Sequence, residues 1–312
     1  MKPVKTLKNR RMTVKTRRIA CVLLTLLFLL PLWTAAGAEA EEETVTYLNL
    51  DELGLNYKTA KETLARYPNL EKVDMFDIPV GKTQVRELEE LYPGVTFGWT
   101  LKIGGDHLVR TDATAFSTLH WSHSTPHPTA EISLLRYCKN LRALDFGHNG
   151  VDDISWLTEL TELRVLIIAV NRLTDISPLA SLTKLEYLEL FNNRIRDLTP
   201  LTGLTHLMDL NISYNRISDY SPLYKMTWLK RLWIAKGSME EKGVPGEVVR
   251  ELQENLPGCQ IDWQSKPTLG GWREHPHHDV IKEIFDQKKG MQYIPFSDSF
   301  PEYPEDDEDE VP

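Results

Sequence analysis

The sequence has few cysteines, and beyond its first residues it has no excess of positive charge. Its 312 residues include three cysteines, Cys21, Cys138 and Cys259, too few for a small disulfide scaffold or a four-cysteine zinc module. Residues 1–38 hold eight Lys and Arg and no Asp or Glu, which leaves 28 basic against 45 acidic residues in the rest of the chain. Because phosphate contacts need clustered positive charge, we expect no nucleic-acid partner.

Common catalytic and ligand-binding motifs are also missing. The sequence has no Gly-x-Ser-x-Gly elbow, His-Glu-x-x-His pair, phosphate loop, Cys-x-x-Cys pair or calcium loop, so we expect no enzyme activity and no cofactor. Two groups of histidines occur, His120, His123 and His127, and then His275, His277 and His278. Neither group has a known zinc-ligand spacing, which favours surface or turn histidines over a metal site.

The N-terminus has the pattern of an export signal. Eight basic residues precede the apolar run 19–33, and the small residues 35–38 follow it. This order predicts a signal peptide over 1–38, cleaved after Ala38 or Ala40, and a secreted or cell-surface protein. The alternative is an uncleaved anchor, because 20 residues from Ile19 to Ala38 are about enough to span a bilayer; only then would the protein have a membrane partner.

A leucine pattern recurs every 22 residues through the middle of the chain. The repeated positions are Leu141, Leu163, Leu185, Leu207 and Leu229, each followed by an alternating apolar pair, and then by Asn149, Asn171, Asn193, Asn215 and, out of pattern, Gly237. Alternation at spacing two predicts a short strand. A fixed period of this length predicts a solenoid, and the asparagine amide is suited to backbone groups left unpaired by a sharp turn.

The second half of each repeat predicts a short helical turn. It contains Ser or Thr followed by Pro in three of the units, as in Asp175-Ile-Ser-Pro-Leu179. The hydroxyl could cap the turn while proline takes its first position, and so few residues suit a 3₁₀ turn better than a full helix.

These combined features, from about Cys138 to Lys236, resemble the internalin-type leucine-rich repeats of exported bacterial proteins. The resemblance implies an α/β leucine-rich-repeat solenoid, with parallel strands on the concave face and 3₁₀ turns on the convex face. It also implies a recognition surface in place of a catalytic one.

Helix-bearing units flank the array. Residues 84–99 align with residues 248–263, and both copies read as an amphipathic helix, a Pro-Gly stop and a strand. We expect these units to cap the two ends of the apolar interior. Cys138 and Cys259 lie five repeats apart, roughly 24 Å, so a disulfide between them is excluded by geometry and both are expected to be buried thiols.

The chain is thereby divided into six regions. They are a signal peptide at 1–38, an N-terminal helix-strand capping region at 39–115, the repeat array at 116–244 with a degenerate first copy, a C-terminal cap at 245–263, a linker with one short helix at 264–296, and a disordered acidic tail at 297–312. Glu302–Glu310 holds seven acidic residues in nine, which favours a solvated, disordered tail.

The strand residues that flank the core positions should point out of the concave face. They give an apolar and acidic set, Val165, Ile167, Tyr187, Glu189, Phe191, Asp209, Tyr214 and Trp233. Contiguous exposed apolar surface usually marks a contact site, so this set predicts the partner-binding residues. The alternative is that residues 264–292 fold back and cover this face.

The function predicted from these features is non-catalytic binding of a protein or peptide partner at the concave face. Carboxylates on that face, including Asp145, favour a partner with basic groups. The alternative is a structural role in the cell envelope, in which the same aromatic and acidic surface binds carbohydrate or wall polymer.

Overall fold

The computed structural model describes residues 45–104, 107–119, 127–236, 243–264 and 271–295. These residues belong to one compact unit, Thr44–Pro312. The expected signal peptide, the acidic tail, Gly237 and the histidines His120 and His123 lie outside the described ranges. Within those ranges, no helix has the length and apolar character needed to cross a membrane.

The N-terminal part of the described chain is a four-stranded sheet with two helices. Its elements are β1 (Tyr47–Asn49), α1 (Tyr57–Leu64), β2 (Lys72–Val80), α2 (Lys82–Leu91), β3 (Thr96–Ile103) and β4 (His107–Arg110). Strands β1, β2 and β3 run parallel, and β4 pairs antiparallel with β3. The helices, β2 and β3 lie where the sequence predicts helix-strand units, whereas β1 and β4 are too short for their alternation to be recognised.

The repeats form a second sheet of seven parallel strands. Its elements in chain order are β5 (Ala115–Ser117), α3 (Thr129–Ile132), β6 (Ala143–Asp145), β7 (Val165–Ile167), β8 (Tyr187–Glu189), β9 (Asp209–Asn211), β10 (Arg231–Trp233), α4 (Gly246–Asn255) and β11 (Gln260–Asp262). Neighbours in space are neighbours in sequence from β5 to β11. The central leucines face each other without a register shift, Leu144 opposite Leu166 and Leu166 opposite Leu188, which confirms the predicted solenoid.

The repeated asparagines connect successive coils, as their position predicts. Asn193 is a representative case: its Nδ2 donates to the carbonyls of Ile168 and Leu190 at 3.0 Å, and its Oδ1 accepts from Leu173 N at 3.1 Å. Because Ile168 and Leu173 belong to the preceding coil, each amide pairs backbone groups of two coils that would otherwise be buried and unpaired.

Short 3₁₀ turns form the opposite side of the array, at Ser133–Tyr137, Ser155–Glu159, Ser177–Ser181, Thr199–Leu201 and Ser221–Lys225. Proline occupies the first positions of the last three, as predicted. The capping group differs from the prediction, because in the last four turns the aspartate two residues before the turn accepts the backbone N–H, as from Ser177 N to Asp175 Oδ1 at 2.8 Å. A carboxylate in this Asx geometry is a stronger acceptor than a hydroxyl.

One continuous apolar core runs from the N-terminal sheet through the array to α4. It contains Leu88, Leu166 and Leu252, all fully buried. Helix α4 contacts the last 3₁₀ turn, and β11 pairs with β10, so this unit lies at the end of the array. The thiols of Cys138 and Cys259 are free, the first buried and the second half-buried; burial raises the pKa of each to about 12.

Candidate functional site

The concave face of the array is covered by the chain's own C-terminal segment, defined here as residues 271–295. This segment contains α5 (Pro276–Ile284) and a 3₁₀ turn at Gln287–Lys289. Its side chains Trp272, Ile281, Ile284 and Tyr293 form a second apolar cluster with the outward residues of the strands. The alternative in which this part of the chain folds back over the face is therefore the arrangement found.

The expectation that the predicted site residues face solvent is wrong for seven of the eight. The buried members are Val165, Ile167, Tyr187, Glu189, Phe191, Asp209 and Trp233, none more than 7% exposed. Tyr214 is half-buried. Burial of the apolar strand side chains among these residues stabilises the protein, because it removes their surface from water. The C-terminal segment supplies the apolar side chains that pack against them. The binding role of these residues stays a prediction.

Trp272 is the central anchor of the segment. It is fully buried, and its ring centroid lies 5.4 Å from that of Tyr187 and 5.3 Å from that of Trp233. Its indole N–H donates to Glu189 Oε1 at 2.8 Å, and Glu189 also accepts from the Tyr187 hydroxyl. The sequence predicts a linker at this tryptophan, whereas the structure places it in the second cluster.

Gly271 permits the close approach of the segment to β10. Its φ is +109°, and a Cβ atom there would lie 3.1 Å from Cζ2 of Trp233. A larger residue would have to adopt an unfavourable backbone conformation against a buried ring. Gly271, directly before Trp272, therefore has a packing role in the described structure.

A buried polar network lies beside the aromatic anchor. Asp209 Oδ2 accepts from Arg231 Nη1 at 3.1 Å and lies 2.5 Å from His277 Nδ1. Arg231 Nη2 donates to the Trp272 carbonyl at 2.9 Å, and the guanidinium carbon lies 4.4 Å from the centroid of the Trp272 ring. The network thus joins β9 and β10 to the segment with one negative and one positive side chain.

The carboxylates expected to attract a basic partner are occupied within the protein. Asp209 pairs with Arg231, Glu189 accepts from Tyr187 and Trp272, and Asp145 accepts from Gly147 N at 3.0 Å and Ser117 Oγ at 3.2 Å. Burial, with a smaller contribution from Glu189, raises the pKa of Asp145 to about 7. The predicted negative potential of the concave face is therefore not presented to solvent, which corrects the electrostatic expectation.

One histidine group does converge with a carboxylate. Among the described residues, ligand atoms of Asp209, His275 and His277 lie within 4.8 Å of one another. These atom types could hold a divalent cation. The guanidinium of Arg231 already contacts Asp209, and the positive end of α5 begins at Pro276, so the protein itself supplies the positive charge that a metal would bring.

Two histidines of the segment are held neutral. Burial lowers the pKa of His275 to about 4, with Arg231 adding to the effect, and burial also lowers the pKa of His278 to about 4. In the released segment, His275 and His278 would bind protons below the ordinary histidine pKa of about 6.5, while in the docked segment these two residues would not until about pH 4. Docking therefore weakens as pH falls between these two values.

The fold and the covered concave face define a leucine-rich-repeat solenoid protein. Models of the family described as Leucine Rich repeats (2 copies) match residues 161–203, and those of a Leucine Rich repeat match residues 137–154 and 203–219. These matched ranges contain the strands β6 to β9, which carry most of the covered face. A comparison with curated proteins finds no match.

The solved structures that match this chain include two internalins and a leucine-rich-repeat protein from a second bacterium. Internalin C2 of Listeria monocytogenes is 24% identical over 63% of this chain and 72% of its own, with a TM-score of 0.38. An internalin F structure from the same species is 24% identical over 64% of each chain, with a TM-score of 0.40. A leucine-rich-repeat protein of Leptospira interrogans is 18% identical over 62% of this chain and 55% of its own, with a TM-score of 0.42. The chain spans less than two thirds of the last two proteins.

Proposed function

We propose that this is an exported bacterial leucine-rich-repeat protein that binds a protein or peptide partner at its concave face without catalysis. The observation that supports a peptide site is the C-terminal segment itself, a polypeptide docked on the predicted residues. Its Trp272 lies against Tyr187 and Trp233, and its His277 contacts Asp209. A partner that replaces the segment would need an aromatic anchor and a hydrogen-bond donor at similar positions.

The contacts of the segment combine the features of a protein interface. A buried tryptophan in a fully desolvated pocket is a common binding hot spot, and an arginine-carboxylate pair beside it gives orientation. The polar atoms of Trp272 and His277 have partners on the strands. These contacts give a specific docking geometry instead of a nonspecific apolar patch. The matched family models are repeat models and name no enzyme.

A peptide-exchange experiment tests the concave site. A protease site introduced between Gln264 and Gly271 allows the segment to be separated from the array covalently. We expect a fluorescent peptide of residues 271–295 to bind the cleaved protein saturably, measured by anisotropy, and not to bind the intact protein. A Trp272→Ala peptide should bind at least about thirtyfold more weakly, because a buried tryptophan anchor commonly contributes 2 kcal/mol or more.

The matched control peptide carries Lys282→Ala, which removes a 59% exposed side chain of α5 in the same segment. It should bind like the unmodified peptide. Equal affinity of the Trp272→Ala and Lys282→Ala peptides would contradict an anchored peptide site. Retention of the cleaved protein on purified cell wall without peptide exchange would favour the carbohydrate alternative.

Export is tested by the N-terminus of the mature protein. The basic, apolar and small-residue order of residues 1–40 supports removal by signal peptidase. We expect protein collected outside the producing bacterium to begin at Glu39 or Glu41, as determined by N-terminal sequencing. Protein that stays in the membrane fraction with residues 19–33 intact would instead support an uncleaved anchor.

A further inference from the structure

The edge of the array at which the strands end carries a column of three arginines. Arg172, Arg194 and Arg216 occupy the same position in successive 22-residue coils, directly after the repeated asparagine. All three are exposed. Because neighbouring coils are about 4.8 Å apart, the three guanidiniums are distributed along roughly 10 Å of this edge.

The column lines an open groove of about 870 Å³. The guanidinium of Arg172 leans into it over the preceding coil, with its atoms 3.7–3.9 Å from where a Cβ of Gly150 would lie. The buried amides Asn171 and Asn193 also line the groove. The side chain of Arg172 therefore packs over Gly150, at a distance that is ordinary van der Waals contact for a Cβ atom there.

The groove is positive although the protein as a whole is acidic. Its lining contains three arginines and one carboxylate, Asp152, whereas the chain has a formal net charge of −9. Within the described ranges, the recorded ion pairs do not include the three arginines. Burial lowers the pKa of His148 on the same wall, with Arg273 adding to the effect. The exposed charge of this edge thus favours an anion.

We infer that the arginine column binds an acidic, extended polypeptide segment of a partner protein. Guanidiniums bind carboxylates with two parallel hydrogen bonds. In an extended run of Asp or Glu, the spacing between carboxylates is similar to the spacing of about 4.8 Å between the coils that carry the arginines. The groove wall also includes Pro128, Ala130 and Val170. Peptide side chains can cover these apolar surfaces, which a bare phosphate polymer would leave exposed to water.

This surface borders the covered concave face, because Val170 of its wall also packs against the second apolar cluster. Its partner chemistry is the reverse of that predicted from the sequence. Asp145, Glu189 and Asp209 are buried under the C-terminal segment or in the sheet, while the arginines are exposed at the strand-exit edge. The inference stands without displacement of the segment. Its test therefore uses the intact chain.

The experiment measures binding of a fluorescent decaglutamate peptide to the full-length protein, with a decaglutamine peptide as neutral reference. We expect saturable binding of decaglutamate that weakens with added salt, because exposed ion pairs are screened. The triple variant Arg172→Gln, Arg194→Gln, Arg216→Gln should bind about tenfold more weakly, since three exposed ion pairs of modest strength are lost. Circular dichroism should be unchanged.

The matched control removes the same charge elsewhere, with Lys58→Gln, Lys82→Gln and Arg86→Gln on exposed positions of α1 and α2. It should retain decaglutamate binding. An equal loss in both variants would show that only net charge matters and would overturn the inference. Tighter, column-dependent binding of inorganic polyphosphate would also overturn it, in favour of a phosphate polymer.

The chain's own acidic tail is the other segment that could bind the arginine column, and a tail variant distinguishes it from a partner protein. In a full-length variant, the seven acidic residues between Glu302 and Glu310 are replaced by glutamine. Binding of decaglutamate to the unmodified protein supports a partner segment. Binding that occurs only in the tail variant would assign the column to the tail and overturn the inference. Failure of the peptide-exchange experiment would leave these results unaffected, because the two surfaces are probed by different peptides.

Discussion

Replacement of Asp209 by alanine should lower the free energy of unfolding by about 3–5 kcal/mol. Asp209 and Arg231 are both fully buried, and the carboxylate is 3.1 Å from the guanidinium. Without it the positive charge of Arg231 would stay in a region from which water is excluded. Urea denaturation followed by circular dichroism at neutral pH measures the loss.

Two comparisons separate this effect from a general sensitivity to substitution. Glu159→Ala removes a carboxylate that is 48% exposed and pairs with Lys139, and it should change stability little. The double variant Asp209→Leu, Arg231→Met should recover much of the loss, because well-packed apolar residues can replace a buried ion pair. A loss for Asp209→Ala no larger than that for Glu159→Ala would contradict a buried pair.

Replacement of Trp272 by alanine should open the C-terminal segment with little effect on the array. Truncation of a fully buried tryptophan costs about 3–5 kcal/mol, and here the lost contacts join the segment to Tyr187, Glu189 and Trp233. If local opening is fast, the rate of proteolysis within 271–295 should rise by a hundredfold or more. Limited proteolysis with mass spectrometry identifies the cleavage sites.

The pH dependence of cleavage in the unmodified protein adds a second measurement. His275 and His278 have pKa values lowered to about 4 by burial. Cleavage of the segment should therefore be faster at pH 5 than at pH 7.5, after correction for the protease's own activity at each pH.

The control for the tryptophan variant is Lys282→Ala, on the exposed side of α5, which should leave cleavage at the unmodified rate. Rates for Trp272→Ala equal to those for Lys282→Ala would show that the tryptophan is not the anchor.

The repeat array could be predicted because its determinants are local and periodic. Each interior leucine recurs after one repeat of constant length, as Leu166 and Leu188 do. The constant length places the equivalent leucine at the same position in the next coil. The asparagine role followed from the same reasoning, because a sharp turn leaves backbone groups unpaired. The predicted turn cap is a Ser or Thr hydroxyl and the observed cap is the aspartate carboxylate, because the sequence places both kinds of side chain beside these turns.

The environment of the concave face could not be decided from the strands alone. Val165, Tyr187 and Trp233 are consistent with either an exposed docking surface or a covered core, and the difference depends on residues 271–295. Ile281 and Ile284 lie on the buried face of α5, but their spacing of three residues does not specify which surface that face contacts. Asp209 and Arg231 occupy the same column of adjacent strands, so their pairing was within reach of cross-strand reasoning.

The C-terminal segment also changes how the solenoid as a whole can unfold. It contacts the last coils through Trp272 and Trp233 and the first coil through Tyr293 N, which donates to Thr114 Oγ1 at 3.3 Å. An open repeat array has nearest-neighbour cooperativity, and its ends can fray independently. Because the C-terminal segment contacts both ends of the array, it couples their local unfolding. A terminal coil can therefore unfold only if the C-terminal segment also dissociates from the remaining coils.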